Sequence, residues 1–261
     1  MAQLVWVAVL GVMMAVRAVA APAEVGTLTI ADGTVTLLRG GERFAAPAGL
    51  RVRPDDMLVT DAAALLARVE FDDGKTADLG PATQVMLAPR GFGPAADRDG
   101  TVYLGRGWLK LAAPWQLTGP GALASPRIDV QQLRGTVVAL SDGTATQVYL
   151  ETGRATALPL GTRLRESFPL ARGEWLRQAA GSSAAGRDLP ADWAGAMPRT
   201  FVETLPRLAA RFAGRPTELE PALGPAPVPA WLQAEPALRP ALAAKPARVL
   251  TRRAEGKGAS S

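Results

Sequence analysis

From Glu24 to about Ala179 the chain is a succession of short runs in which apolar and polar residues alternate, separated by turns that contain glycine. A period of two places every second side chain on one face of an extended strand, so the pattern restricts this segment to β structure. The runs are Val25 to Ile30, Val69 to Phe71, Gln84 to Leu87, Thr101 to Leu104, Trp108 to Leu111, Ile128 to Leu133, Thr136 to Leu140 and Ala145 to Leu150. Asp32-Gly33, Asp73-Gly74, Asp142-Gly143 and Thr152-Gly153 punctuate them. Such pairs accommodate the positive φ angles of tight hairpin turns, which predicts antiparallel pairing of neighbours. The expected fold is all-β, an antiparallel sandwich or jelly-roll-like domain over residues 22–180. One stretch, Asp61 to Ala67, reads either as a short helix or as a strand entered through a turn.

The first residues carry a different signal. Leu4 to Val16 is uninterruptedly apolar, and Arg17 and the small residues Ala18 to Ala21 follow it. That is the form of a secretory signal peptide, residues 1–21, cleaved after Ala20 or Ala21, with an uncleaved anchor as the alternative. Thirteen apolar residues fall short of the roughly 20 that a helix needs to cross the hydrocarbon core. The expected location is therefore the periplasm, with no membrane span after cleavage.

Cysteine and histidine are both absent. No disulfide framework is available, and Cys–His pairs, Ser-His-Asp triads and ordinary zinc sites are excluded. The net charge is +5, yet Pro22 to Ala180 holds 17 basic and 17 acidic residues, whereas Gly181 to Ser261 holds 11 basic and 7 acidic. The β region is thus neutral and lacks the clustered lysine and arginine of a nucleic-acid surface.

Beyond residue 180 the composition shifts. Residues 181–198 begin with a Gly/Ser/Ala stretch that reads as a linker. Residues 199–243 read as two short helices around a Pro-rich connector, Pro221 to Pro229. The first helix is signalled by Phe201, Leu205, Leu208 and Phe212 and interrupted by Pro206; the second, from Pro229, carries Trp231, Leu232, Leu238 and Leu242. Residues 244–261 read as a disordered basic tail.

Several short motifs recur in a recognisable order. Pro54-Asp55-Asp56-Met57-Leu58-Val59-Thr60 is followed by Val69-Glu70-Phe71-Asp72-Asp73-Gly74 and by Asp78-Leu79-Gly80-Pro81-Ala82-Thr83-Gln84-Val85. Then come Val102-Tyr103-Leu104-Gly105-Arg106-Gly107-Trp108-Leu109-Lys110-Leu111, Arg134-Gly135-Thr136, and Val148-Tyr149-Leu150-Glu151-Thr152-Gly153-Arg154-Ala155. In this series Val52 to Leu158 resembles the FecR domain, a periplasmic β module of iron-uptake regulators and of many exported bacterial proteins. The resemblance implies a signalling or binding module. FecR regulators also carry a cytoplasmic segment that engages a sigma factor; three residues precede the apolar run here, so the expectation is a stand-alone module without that output.

The motif residues have structural readings. Asp73, Gly74, Asp142, Gly143 and Gly153 supply turns, Gly80 and Pro81 redirect the chain, and Gly135 admits a close backbone approach. Three residues are candidates for ligand contact. Arg134 can hold a carboxylate or phosphate, or pair with a turn carboxylate. Tyr103 and Trp115, near Trp108, can offer flat faces to a sugar, or serve as core. Trp115, in a loop with Pro114, Gln116 and Pro120, is the foremost of these. Asp55-Asp56 and Asp72-Asp73 are sequence neighbours that strand geometry turns to opposite faces, Glu70 and Asp72 share a face but at a turn, and nothing in the spacing singles out a carboxylate pair for a glycosidase. No cofactor, metal or catalytic residue is expected. The function expected is a non-catalytic envelope protein that binds a protein partner or wall polymer. The alternatives are a periplasmic ligand sensor signalling to a separate membrane protein and, less favoured, a carbohydrate-active hydrolase.

Overall fold

The computed structural model describes residues 23–88, 101–116, 121–161 and 167–229. The leader at 1–21, the helix expected from Pro229 with Trp231, and the tail at 244–261 lie outside the described residues. Sixteen strands occur among those described. The first eight are β1 (Gly26–Asp32), β2 (Val35–Arg39), β3 (Glu42–Ala45), β4 (Arg51–Val52), β5 (Met57–Thr60), β6 (Leu66–Phe71), β7 (Thr76–Leu79) and β8 (Gln84–Leu87). The next are β9 (Val102–Ala113), β10 (Gly121–Ala124), β11 (Ile128–Ser141), β12 (Ala145–Pro159), β13 (Phe168–Ala171), β14 (Glu174–Ala179), β15 (Ser182–Arg187) and β16 (Gly224–Pro225). The chain is all-β, and its strands form one branched sheet in the order β15-β14-β12-β11-β10-β9-β8-β5-β2-β3-β16. Pairing is antiparallel except between β9 and β10.

Two of the four glycine pairs make hairpins. Asp73-Gly74 joins β6 to β7, which pair with each other, and Asp142-Gly143 joins β11 to β12. At the second turn the Asp142 carboxylate accepts the backbone N–H groups of Thr144 and Ala145, each at 2.7 Å. Partial burial alone would raise its pKa, but these hydrogen bonds outweigh burial and hold it below the usual range. Asp32-Gly33 instead links strands that pair elsewhere, β1 with β4 and β6, β2 with β3 and β5. Thr152-Gly153, expected as a turn, lies inside the fifteen-residue strand β12. The Asp61 to Ala67 stretch is a turn leading into β6.

Three long strands organise the sheet, because each serves two sets of partners. The first half of β9 pairs with β8 and β10, its second half with β7 and β11. The first half of β11 pairs with β10 and its second half with β9, while β12 accompanies β11 throughout. β12 in turn receives β14 along its first half and β13 along its second.

The change of partners coincides with a change of phase. Val102 and Leu104 of β9 enter the main core, followed by Leu109, Leu111 and Ala113. In β11 the inward residues are Ile128 and Val130, then Leu133, Val137 and Ala139; in β12 they are Val148 and Leu150, then Ala155 and Ala157. Even-numbered positions give way to odd ones in all three strands. A β-bulge adds one unpaired residue and bends the strand, so the alternation resumes one step out of phase and both halves face the same core.

At the bend in β11 and β12, Gly135 and Gly153 are register partners. Both have positive φ, +131° and +86°, and a Cβ on Gly153 would stand 1.8 Å from the Arg134 carbonyl oxygen. One on Gly135 would stand 2.1 Å from the Thr152 carbonyl oxygen. The two backbones meet at a distance only glycine permits.

The chain beyond β14 does not detach. Gly181 to Gly186, expected as a linker, forms most of β15, because small Ser and Ala side chains permit a strand as readily as a flexible spacer. A short helix α1 (Ala191–Ala196) and two 3-10 turns, Arg199–Val202 and Ala209–Phe212, follow. The helix expected through Phe201 and Phe212 is thus reduced to these turns, since Pro206 removes a donor and restricts Leu205 to extended conformations. The segment then bridges Leu50 at Thr217 and pairs with β3 as β16.

Gly153→Ala is therefore expected to cost more than about 4 kcal/mol or to prevent folding. Gly143→Ala, with φ +90° but open space around it, should cost only about 1–2 kcal/mol. Urea titrations of the two variants check this contrast; equal losses would contradict the crossing.

Candidate functional site

The outer face of the sheet, opposite the main core, carries a register-aligned row. Arg68 of β6 stands opposite Asp78 of β7, Asp78 opposite Lys110 of β9, Lys110 opposite Val138 of β11, Val138 opposite Tyr149 of β12, and Tyr149 opposite Trp175 of β14. Residues 189–205 lie across it. Trp193 stacks on Trp108 with ring centres 5.4 Å apart and meets Tyr149 edge-on at 6.0 Å. Phe201 is fully buried beside them.

Charged residues of the row hold the backbone of the overlying segment. Lys110 donates to the Phe201 carbonyl at 2.5 Å and pairs with Glu151 at 2.8 Å. Arg68 donates to the Leu205 carbonyl at 3.2 Å while gripping Asp78 through two bonds of 2.5 and 2.7 Å. Burial alone would lower the Arg68 pKa; the hydrogen bonds and charge of Asp78, with the charge of Glu70, more than offset it, and the pKa is raised. Glu70 accepts the backbone N–H groups of Leu208 and Ala209 at 2.7 and 3.3 Å.

These contacts decide the fate of the acidic residues. Asp56 accepts two bonds from Arg39, at 2.8 and 2.5 Å, and one from the Arg53 N–H at 2.7 Å. Asp72 is bound to Arg51, and Asp73 to Lys75. Carboxylates consumed in this way are structural partners and are not poised for acid–base work. Among the described residues no three or more Asp or Glu side chains converge to hold a metal ion.

Clefts among the described residues include the following two. One, of about 450 Å³, lies between β1, β4 and the turn at Phe212; its Arg51 is tied to Glu24, Thr27 and Asp72. The Asp72 hydrogen bond is the largest influence on Arg51 and raises its pKa above the ordinary value. The other, of about 290 Å³, lies between β13 and the β14–β15 pair, beside Phe168, Trp175 and the Glu174–Arg187 ion pair.

Of the sequence candidates, Tyr103 is fully buried. It is 0% exposed and packs with Leu38, Met57, Met86 and Ala124, with Ala226 of the C-terminal segment against the same cluster. This burial, the core reading of the residue, follows from pairing on both sides of β9 at this point, by β8 and β10. Gly80 and Pro81 connect β7 to β8, and the Gly80 N–H donates to the Trp108 carbonyl at 3.0 Å.

Trp115 and Arg134 come to the same end of the sheet. Ala113 at the end of β9 is the register partner of Gly135, so the loop carrying Trp115 emerges beside Arg134. Arg154 stands directly opposite Arg134, which puts both side chains on one face. The Arg154 guanidinium carbon lies 4.7 Å from the centre of the Trp115 ring, and Trp115 remains 51% exposed. Arg154 was not among the sequence candidates. Counting back along both strands from the Asp142-Gly143 hairpin, with one residue allowed for the bulge, would have placed it opposite Arg134.

No protein-family model matches the chain, and no curated protein matches it. Among solved structures it is similar to two crystal structures, each described as "a putative anti-sigma factor from Parabacteroides distasonis ATCC 8503". Identities are 13% and 12%, both TM-scores are 0.41, and 51% of this chain is covered. The aligned part spans 59% of each of those chains. Among the described residues no helix is long and apolar enough to cross a membrane.

Removing Asp78 strands a buried guanidinium that also anchors Leu205. Asp78→Ala should cost about 3–5 kcal/mol and make residues 199–208 susceptible to limited proteolysis under native conditions. A variant as stable and as resistant as the parent would contradict this role.

Proposed function

We propose that the protein is an exported, non-catalytic binding module of the cell envelope, which engages a protein partner or wall polymer at the surface formed by Trp115, Arg154 and Arg134. The observation that carries the reading is the half-exposed indole with an arginine stacked on it, at the end of a sheet whose outer face is already covered by its own chain. Exposed tryptophan and arginine are the residues most enriched at the energetic centres of binding surfaces. Asp56, Asp72, Asp78, Asp73 and Glu70 are bound by Arg39, Arg51, Arg68, Lys75 and backbone N–H groups, which supports a non-catalytic reading. The leader-like run before Pro22 supports delivery across the cytoplasmic membrane.

The test places a photo-crosslinking amino acid, p-benzoylphenylalanine, at Trp115 of the tagged full chain in intact cells, with the same substitution at Leu65, a 58% exposed residue on β6's entry turn, as control. A discrete adduct from position 115 and none from position 65 is expected. The recovered protein should begin at Ala21 or Pro22. No adduct from position 115, or an unprocessed chain in the cytosol, would overturn the proposal.

A further inference from the structure

We infer that the open edge of β15 binds an extended peptide, which adds a strand to the sheet and places one large apolar side chain in the neighbouring cleft. This is a second surface, distinct from the one at Trp115. β15 (Ser182–Arg187) ends the sheet and, among the described residues, pairs with β14 alone. Its six residues follow β14 in unbroken register, and five of the six are exposed. An edge strand displays unpaired N–H and C=O groups, and proteins ordinarily guard it with charge, proline, brevity or a bulge. The other described strands with a single partner are guarded in this way. β4 and β16 are two residues long, β16 ends on Pro225, and the four-residue β13 contains Pro169. Ser182 to Gly186 carries neither charge nor proline.

The cleft of about 290 Å³ beside this edge supplies the pocket. Leu176 of β14 belongs to the main core and Ala185 is its register partner, so Ala185 faces the same side. Phe168 and Leu170 of β13 line the cleft with them, together with the Glu174–Arg187 ion pair. A strand added to β15 runs about 4.8 Å away, and its residue opposite Ala185 directs its side chain to this same face. The methyl group of Ala185 is a small obstacle, and Phe168, Leu170 and Leu176 offer an apolar lining. Main-chain pairing then supplies affinity that is indifferent to sequence, and the cleft supplies the preference for an apolar side chain. A second copy of the chain, paired edge to edge, fits less well. Its six residues fall far short of the roughly 20–30 a side that a stable protein–protein interface engages. Ser182 to Gly186 also brings no large side chain to fill the cleft of the other copy.

The experiment selects random peptides displayed on phage against the purified full chain, then titrates a synthetic copy of an enriched peptide by fluorescence anisotropy. Enriched peptides should carry an aromatic or long aliphatic residue in an alternating segment and bind saturably. On binding, the backbone amides of residues 182–187 should slow in hydrogen exchange. N-methylation of alternate peptide amides should abolish binding on the edge facing β15 and change it by less than about twofold on the other. Ala185→Lys, which adds the missing guard at an exposed position, should weaken binding about tenfold or more at a melting temperature near the parent's. Trp115→Ala should leave it unchanged. No enriched peptide, binding insensitive to Ala185→Lys, or binding lost with Trp115→Ala would overturn the inference. Sedimentation showing the parent to be a dimer that Ala185→Lys dissociates would also overturn it, by assigning the edge to a second copy.

Discussion

The approach of β11 to β12 at Gly135 and Gly153 sets the geometry on which the rest of the structure depends. Each glycine occupies the space a side chain on the other would need, so the strands cross at main-chain contact. That crossing lets two long strands bend together, change phase together, and present apolar residues to one core from both halves. The same bend sets Arg134 against Arg154 and brings the end of β9, with Trp115 beyond it, to their side. Core and candidate site thus share one cause.

A second constraint comes from the buried charges of the outer face. Arg68, Asp78, Lys110 and Glu70 would be costly there in isolation. They are satisfied by one another and by the carbonyl and N–H groups of residues 201–209. The C-terminal segment is therefore part of the fold: it completes the hydrogen bonding of the face and adds the short strand β16 at the far edge. With this face occupied by the chain itself, Trp115, beyond the end of β9, remains half exposed.

Much of the β architecture is legible in the sequence because it follows from local rules. Gln84–Leu87 matches the expected strand, and the hairpins at Asp73-Gly74 and Asp142-Gly143 lie where turn chemistry puts them. The long strands are harder to read, because a bulge shifts the alternation and splits one strand into two apparent ones, as at Leu133 to Thr136. Thr152-Gly153 shows the same ambiguity, since a glycine that permits a turn also permits a crossing. The segment Gly181 to Gly186 has no apolar alternation, and only its pairing with β14 makes it a strand. Tyr103 and Trp115 have equal claims by composition; partners distant in sequence bury one and leave the other open.

Native-state hydrogen exchange on the full chain tests the central claim most directly, because it resolves how stable each part of the crossing is. The account predicts that amides of residues 137–140 and 148–150, beside the crossing, exchange only through global unfolding. It predicts that amides of residues 201–209 exchange through a separate opening of lower free energy. Exchange beside the crossing as fast as at the Asp142-Gly143 turn would show that the two strands do not hold the sheet together, and would contradict the account.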